Sequence, residues 1–213
     1  MQEGVPPLAP SEVVVLHGDH FSPRSSWHTR AETVLAGGAR VRADRLVHAA
    51  LAAAAFAVHR TGAARLEVRD ERLLGLVRRR VLRIVPGDGV QVEFPVYSAE
   101  AALVTVAVGA GRLTSAFNLV LGQKTANAYT QALRSIKDGL ARRGLLEVRE
   151  WRALGVVPRR EWTLPGSVRQ LSAGAPLQVA TRIVREAERD EPELWAEVTR
   201  AIAASRRQMT TAN

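Results

Sequence analysis

The chain has 213 residues, 46% of them hydrophobic, with no cysteine and a formal charge of +9 at pH 7. That length and apolar content suffice for a buried core without covalent staples. The missing thiols exclude disulfide frameworks, thiolate zinc sites and cysteine nucleophiles, as fits a reducing cytoplasm. The charge favours phosphate-bearing partners, although Arg supplies 28 of the 30 basic residues, a bias that a GC-rich genome also produces.

Met1 to Pro10 carries Glu3 and three prolines without a basic or long apolar run, and is expected to be a flexible lead-in rather than a signal peptide. Ser11-Glu12 followed by Val13 to Leu16 predicts a short element, a helix capped by Ser11 or an edge strand, ending near Gly18. The polar text from His17 to Ala43 reads as loop, with a helical turn near Ala31 to Leu35. Asp44 is placed to cap a helix from Arg45 to about Thr61, with Gly62 at its left-handed exit. That helix is apolar on nearly every face and is expected in the core. Its uncharged run, Leu46 to His59, is short of the roughly 18 apolar residues that span a bilayer.

Ala64 to Arg69 and Arg80 to Val85 alternate at period two and predict a hairpin with Asp70 and Glu71 at its turn. Pro86 to Gly89 reads as a joint, and Val90 to Val96 as an extended piece. Ser98 begins a helix through about Val108, and a second runs from Thr114 to Leu121, closed by Gly122. Thr125 to Arg143 gives the clearest helical pattern. Tyr129, Ala132, Leu133, Ile136 and Leu140 share one face, while Gln131, Arg134, Lys137, Asp138 and Arg142 face out. Gly144 ends it. Leu145 to Trp151 and Val157 to Leu164 form a second hairpin, a wing on which Trp151 and Trp162 pack together. Two helices, Pro176 to Glu188 and Glu193 to Arg206, part at Pro192, and Thr210 to Asn213 frays.

The expected fold class is therefore mostly α with β-hairpins (α+β): a helical core with two hairpins. Residues 11–97 form a helix-plus-hairpin half, 98–170 a winged-helix-like half and 171–213 the C-terminal helices, with the halves compatible with one domain.

Three segments carry a family resemblance: SEVVVLHGDHFSPRSSW, LVHAALAAAAFAVHRTGAARLEVRDERLL and LRSIKDGLARRGLLEVREWRALGVVPRREWTLP. Together they resemble the Golgi phosphoprotein three family, whose eukaryotic members read phosphatidylinositol 4-phosphate on membranes. The resemblance implies that Trp27 stands where the family has its headgroup-contacting Trp. The Arg that follows in the family falls on Arg30, Arg40 or Arg42. The family's two helix arginines fall on or near Thr130 and Leu133, with Arg134 the nearest basic side chain.

The residues themselves offer two surfaces. Trp27, flanked by Arg24 and Arg30, either has the amphipathic ring and cations of an interfacial anchor or covers a core edge, and Arg78 and Arg80 share one face of a strand, either toward phosphates or as a solvated edge that prevents strand pairing. Alternatively, Asn127, Gln131 and Arg134 face base edges while Lys124, Arg159 and Arg160 hold a phosphate backbone. His17, Asp19, His20 and His28 match no metal cage and read as a surface loop; His48 and His59 need no role beyond the interior of their helix. No motif places a nucleophile, a P-loop or a dinucleotide cradle. We therefore expect a non-enzymatic binding protein without cofactor or metal, cytoplasmic and peripheral at the inner membrane face. Its partner is anionic lipid or protein. A winged-helix DNA-binding regulator, a scaffold subunit and a homo-oligomer stand as alternatives.

Overall fold

A computed structural model describes residues 7–25, 31–73, 77–88, 92–121, 127–153 and 157–210. Among them the chain forms α1 (Pro10–Leu16), β1 (Ala31–Thr33), β2 (Arg40–Arg42), α2 (Ala43–Arg60), β3 (Ala64–Leu73), β4 (Val77–Pro86), α3 (Ala99–Val108) and α4 (Leu113–Leu121). α5 (Ala128–Arg142), β5 (Glu147–Ala153), β6 (Val157–Thr163), α6 (Gly166–Ala173), α7 (Ala175–Asp190) and α8 (Pro192–Thr210) follow. The fold is mixed α and β, mostly helical, with three antiparallel two-stranded sheets.

The alanine run of α2 organises the core. Alanine is the strongest helix former, and its small side chain lets neighbouring backbones approach closely. α2 accordingly touches α1, α3, α5, α7, α8 and β3, and Leu46, Leu51 and Phe56 along it are fully buried. Trp195 of α8 stacks on Phe56 at 5.7 Å between ring centroids. At its exit Gly62 takes φ +72°, as expected. Its entrance differs from expectation: Arg42, not Asp44, holds the N-cap position, and Asp44 instead receives Arg42 Nε at 3.1 Å and Nη2 at 2.7 Å. That ion pair holds the Asp44 carboxyl below its usual range.

The predicted edge element is helix α1. Ser11 does not cap it; its N–H and Oγ donate to the buried Glu100 of α3 at 2.8 and 2.6 Å. The lead-in is also shorter than expected, since Ala9 is buried and its N–H donates to Glu12 Oε2 at 2.9 Å. The helical turn expected near Ala31 to Leu35 is instead the hairpin β1–β2, pinned by fully buried Val41 and by the Ala36 N–H on Leu16 O.

In the β3–β4 hairpin Asp70 and Glu71 lie within the ladder, opposite Arg80 and Arg79, rather than at its turn. Leu66 and Ile84 pair over the core, Val68 and Leu82 pair nearer its rim, and Asp70 and Arg80 continue the same row beyond. Val92 to Val96 forms no strand. Ser98 caps α3 by accepting the Ala101 N–H at 3.1 Å. Ser98→Ala should cost about 1 kcal/mol, read as a fall of about 2–4 °C in Tm.

α5 follows the predicted pattern with one correction: Lys137 is not a solvated residue but 4% exposed, paired with Glu32 of β1 and 5.2 Å from the Trp162 ring centroid. Helices α3, α4 and α5 precede the hairpin β5–β6, in the expected order. Trp151 and Trp162 lie on opposite faces of it. Trp162 turns to α5, its Nε1 donating to Asp138 at 3.2 Å, while Trp151 stays exposed. Helix α6 is an element that the sequence pattern did not predict. No helix of the described residues is long and apolar enough to cross a membrane.

Candidate functional site

Trp27 and Arg30 lie outside the described residues, as do Lys124 and the side chains of Arg78 and Arg159. Arg24 is exposed and bridged to Val41 of β2. Leu133, on which one helix arginine of the resembled family falls, is 1% exposed and belongs to the core. Asn127, Gln131 and Arg134 do share an exposed face of α5. The neighbouring Arg160, however, is bound by Glu150 at 2.7 Å and by Asp138 at 2.9 Å. Two carboxylates thus sit where a phosphate-binding wing needs open cations.

The histidine segment is not a surface loop throughout. His17 is buried with Nε2 2.8 Å from Ser172 Oγ, and burial holds its pKa below the usual value. His48 packs edge-on against Trp195, and His59 lies 3.6 Å from Glu191. Among the described residues no three His, Asp or Glu side chains converge as metal ligands.

What the structure does bring together is arginine. Arg80 of β4, Arg112 just before α4, and Arg200 and Arg207 of α8 line one cavity of about 300 Å³, with Thr114 and Glu197. Three local features assemble it. Arg80 continues the inward row of β4 past the core, so it hangs over α8, its Nε 3.5 Å from Glu197 Oε1. The segment before α4 docks on β4 through the Ile84 N–H on Gly111 O at 2.9 Å and an Arg83–Arg112 bridge. This sets Arg112 and the positive end of α4 beside Arg80. Helix α8 is fixed to α4 by Ser205 Oγ on Thr114 O at 3.1 Å and by Asn118 on Gln208 at 3.0 Å.

The surrounding acids leave the cavity strongly basic. Glu71 accepts from Arg83 and Arg112, and those bonds, Arg83's first, hold its carboxyl below the usual range. Glu197 binds Arg200 Nη1 at 2.8 Å, one turn along the helix. Four guanidinium groups thus face the cavity with one carboxylate lining it. Each guanidinium carries five N–H donors, and Arg80, Arg112 and Arg200 spend only part of theirs on Glu71 and Glu197. Away from this cavity, α3 and α4 expose Val108 and Leu119, 78% and 59% accessible.

Among the described residues, Arg80 is the one predicted site residue that lines this cavity. Arg112, Arg200 and Arg207 were missed because nothing local marks them; each follows an ordinary helical or loop pattern. No family model, no curated protein and no solved structure matches the chain.

Proposed function

We propose that this chain is a non-catalytic binding protein that engages the phosphate groups of an anionic phospholipid surface through its arginine-lined cavity. The observation that carries this reading is the convergence of Arg80, Arg112, Arg200 and Arg207 from β4, the start of α4 and α8 on one opening with a single lining carboxylate. Guanidinium groups match phosphate oxygens as planar forks. The formal charge of +9 raises the encounter rate with such a surface. The expectation drawn from the family resemblance agrees in ligand chemistry, although it placed the contact at Trp27.

Co-sedimentation with phosphatidylcholine vesicles, with and without phosphatidylglycerol, tests it at two salt concentrations. Binding is expected only with the anionic lipid and to weaken with salt. The pair Arg80→Gln and Arg112→Gln is the informative variant, because Glu197 keeps Arg200 and Glu71 keeps Arg83. At ~1 kcal/mol per arginine near the surface, the double variant should bind about 30-fold more weakly. Trp27→Ala in the same series tests the contact expected from sequence. Binding to a random DNA duplex but to neither vesicle would overturn the reading in favour of the α5 face, and binding to none would leave a protein partner.

A further inference from the structure

Glu197 is the member of the arginine cavity that phosphate binding does not explain. It lines the opening and yet its side chain is buried, 4% exposed on α8. Oε2 is occupied by Arg200 at 2.8 Å. No protein donor hydrogen-bonds to Oε1, and Arg80 Nε stands off at 3.5 Å. A buried carboxylate oxygen left open is costly, and such groups are ordinarily filled. The acid also weakens a site for a bare anion, since it subtracts charge from the arginines around it.

Both facts are met by a ligand that brings an anion and a hydrogen-bond donor together. An ammonium donor is disfavoured, because four guanidinium groups line the same opening. Oε1 is itself shielded from solvent, so a neutral hydroxyl pairs with it, without that repulsion, once the exposed Arg80 side chain 3.5 Å away turns onto the phosphate. The cavity, at about 300 Å³, is at the small end of ligand sites, which suits a short ester.

We propose that the cavity takes a small phosphate ester bearing a free hydroxyl, its phosphate on the arginines and its hydroxyl donating to Glu197 Oε1. This rests on the reading of the arginine cavity as a phosphate site. Glycerol phosphate has the required chemistry, either as a free metabolite or as the exposed headgroup of phosphatidylglycerol.

Calorimetric titration of the full chain with glycerol 3-phosphate and with methyl phosphate, which lacks the hydroxyl, tests the proposal. Vesicles of phosphatidylglycerol and of phosphatidylmethanol form a second arm with equal charge. Wild type should prefer the hydroxyl-bearing ester at least about tenfold, as for a hydrogen bond to a charged group. Glu197→Gln should lose most of that preference while its affinity for methyl phosphate holds or rises. A merely structural role for Glu197 would weaken both ligands together. A preference seen with the free esters alone assigns the site to a soluble metabolite, and one seen on vesicles assigns it to the headgroup; both support the proposal. Equal binding of the two members of each pair overturns it and leaves the arginine reading standing. Failure of every ester and both vesicles overturns the two together.

Discussion

Arg143→Met is expected to cost about 3–5 kcal/mol at pH 8, the cost of breaking a buried ion pair from one side. Arg143 reaches from the end of α5 to Glu12 in α1 and also donates to Pro7 O at 3.0 Å. Glu12 is fully buried, and burial pushes its carboxyl up to about 7 despite Arg143 and the Ala9 N–H, both of which favour the charge; Glu100 nearby raises it further. An acid whose folded pKa stands above its unfolded value of 4.5 binds its proton more tightly in the native state. Its contribution to stability is therefore complete below pH 4.5 and is lost as pH rises through about 7. That span, at ~1.4 kcal/mol per pH unit, amounts to about 3 kcal/mol. Chemical denaturation at pH 5 and pH 8 should show wild type gaining about 3 kcal/mol at the lower pH relative to Glu12→Gln; the comparison cancels Glu100, whose buried carboxyl is also raised, and His17, His48 and His59, which burial lowers, because both proteins carry them. The Arg143→Met penalty should shrink at pH 5, where Glu12 takes a proton, and the double variant should recover much of the loss at pH 8. A penalty equal at both pH values would show that Arg143 acts through packing alone.

Gly87→Ala should be nearly as damaging. A Cβ at Gly87 would lie 1.8 Å from Gly62 O and 2.6 Å from its carbonyl carbon. Both partners are backbone, so no side chain can swing aside. The Gly87 N–H also reaches Ala63 O at 3.4 Å, where the hairpin β3–β4 returns to the exit of α2. Methyl insertion must part these segments, at a cost near the upper end of overpacking, about 3 kcal/mol, or a fall of about 6–12 °C in Tm. Gly166→Ala, where nothing lies within 4 Å of the added carbon, is the control and should change stability by less than about 0.5 kcal/mol. Equal Tm values for the two variants would mean that the hairpin base yields without cost.

Both regions also show what the sequence made legible. The α2 exit, the α3 cap and the apolar face of α5 follow from punctuation and periodicity within a few residues, and the structure agrees at Gly62, Ser98 and Ile136. What escaped depends on contacts distant in the chain. The strands β1 and β2 have three residues each and are held by α1 rather than by their own pattern. Lys137 reads as solvated until Glu32, 105 residues earlier, is brought to it. The arginine cavity is the extreme case. Arg80 stood out because it ends a run of three arginines, whereas Arg112, Arg200 and Arg207 become neighbours only after α8 docks on α4 and β4.

The central place of α2 has a consequence for how the chain is made. Helices α3, α5, α7 and α8 all cover it, and Trp195 closes over Phe56. About 140 residues must be translated between the end of α2 and the stacking of Trp195, which at ~5–20 residues per second is on the order of 10–30 s. For that interval the part of the alanine-rich α2 surface that α8 covers stands exposed in the nascent chain. Slowing elongation after Arg60 should lengthen its exposure and increase co-translational capture by holdase chaperones, with no change to the finished protein.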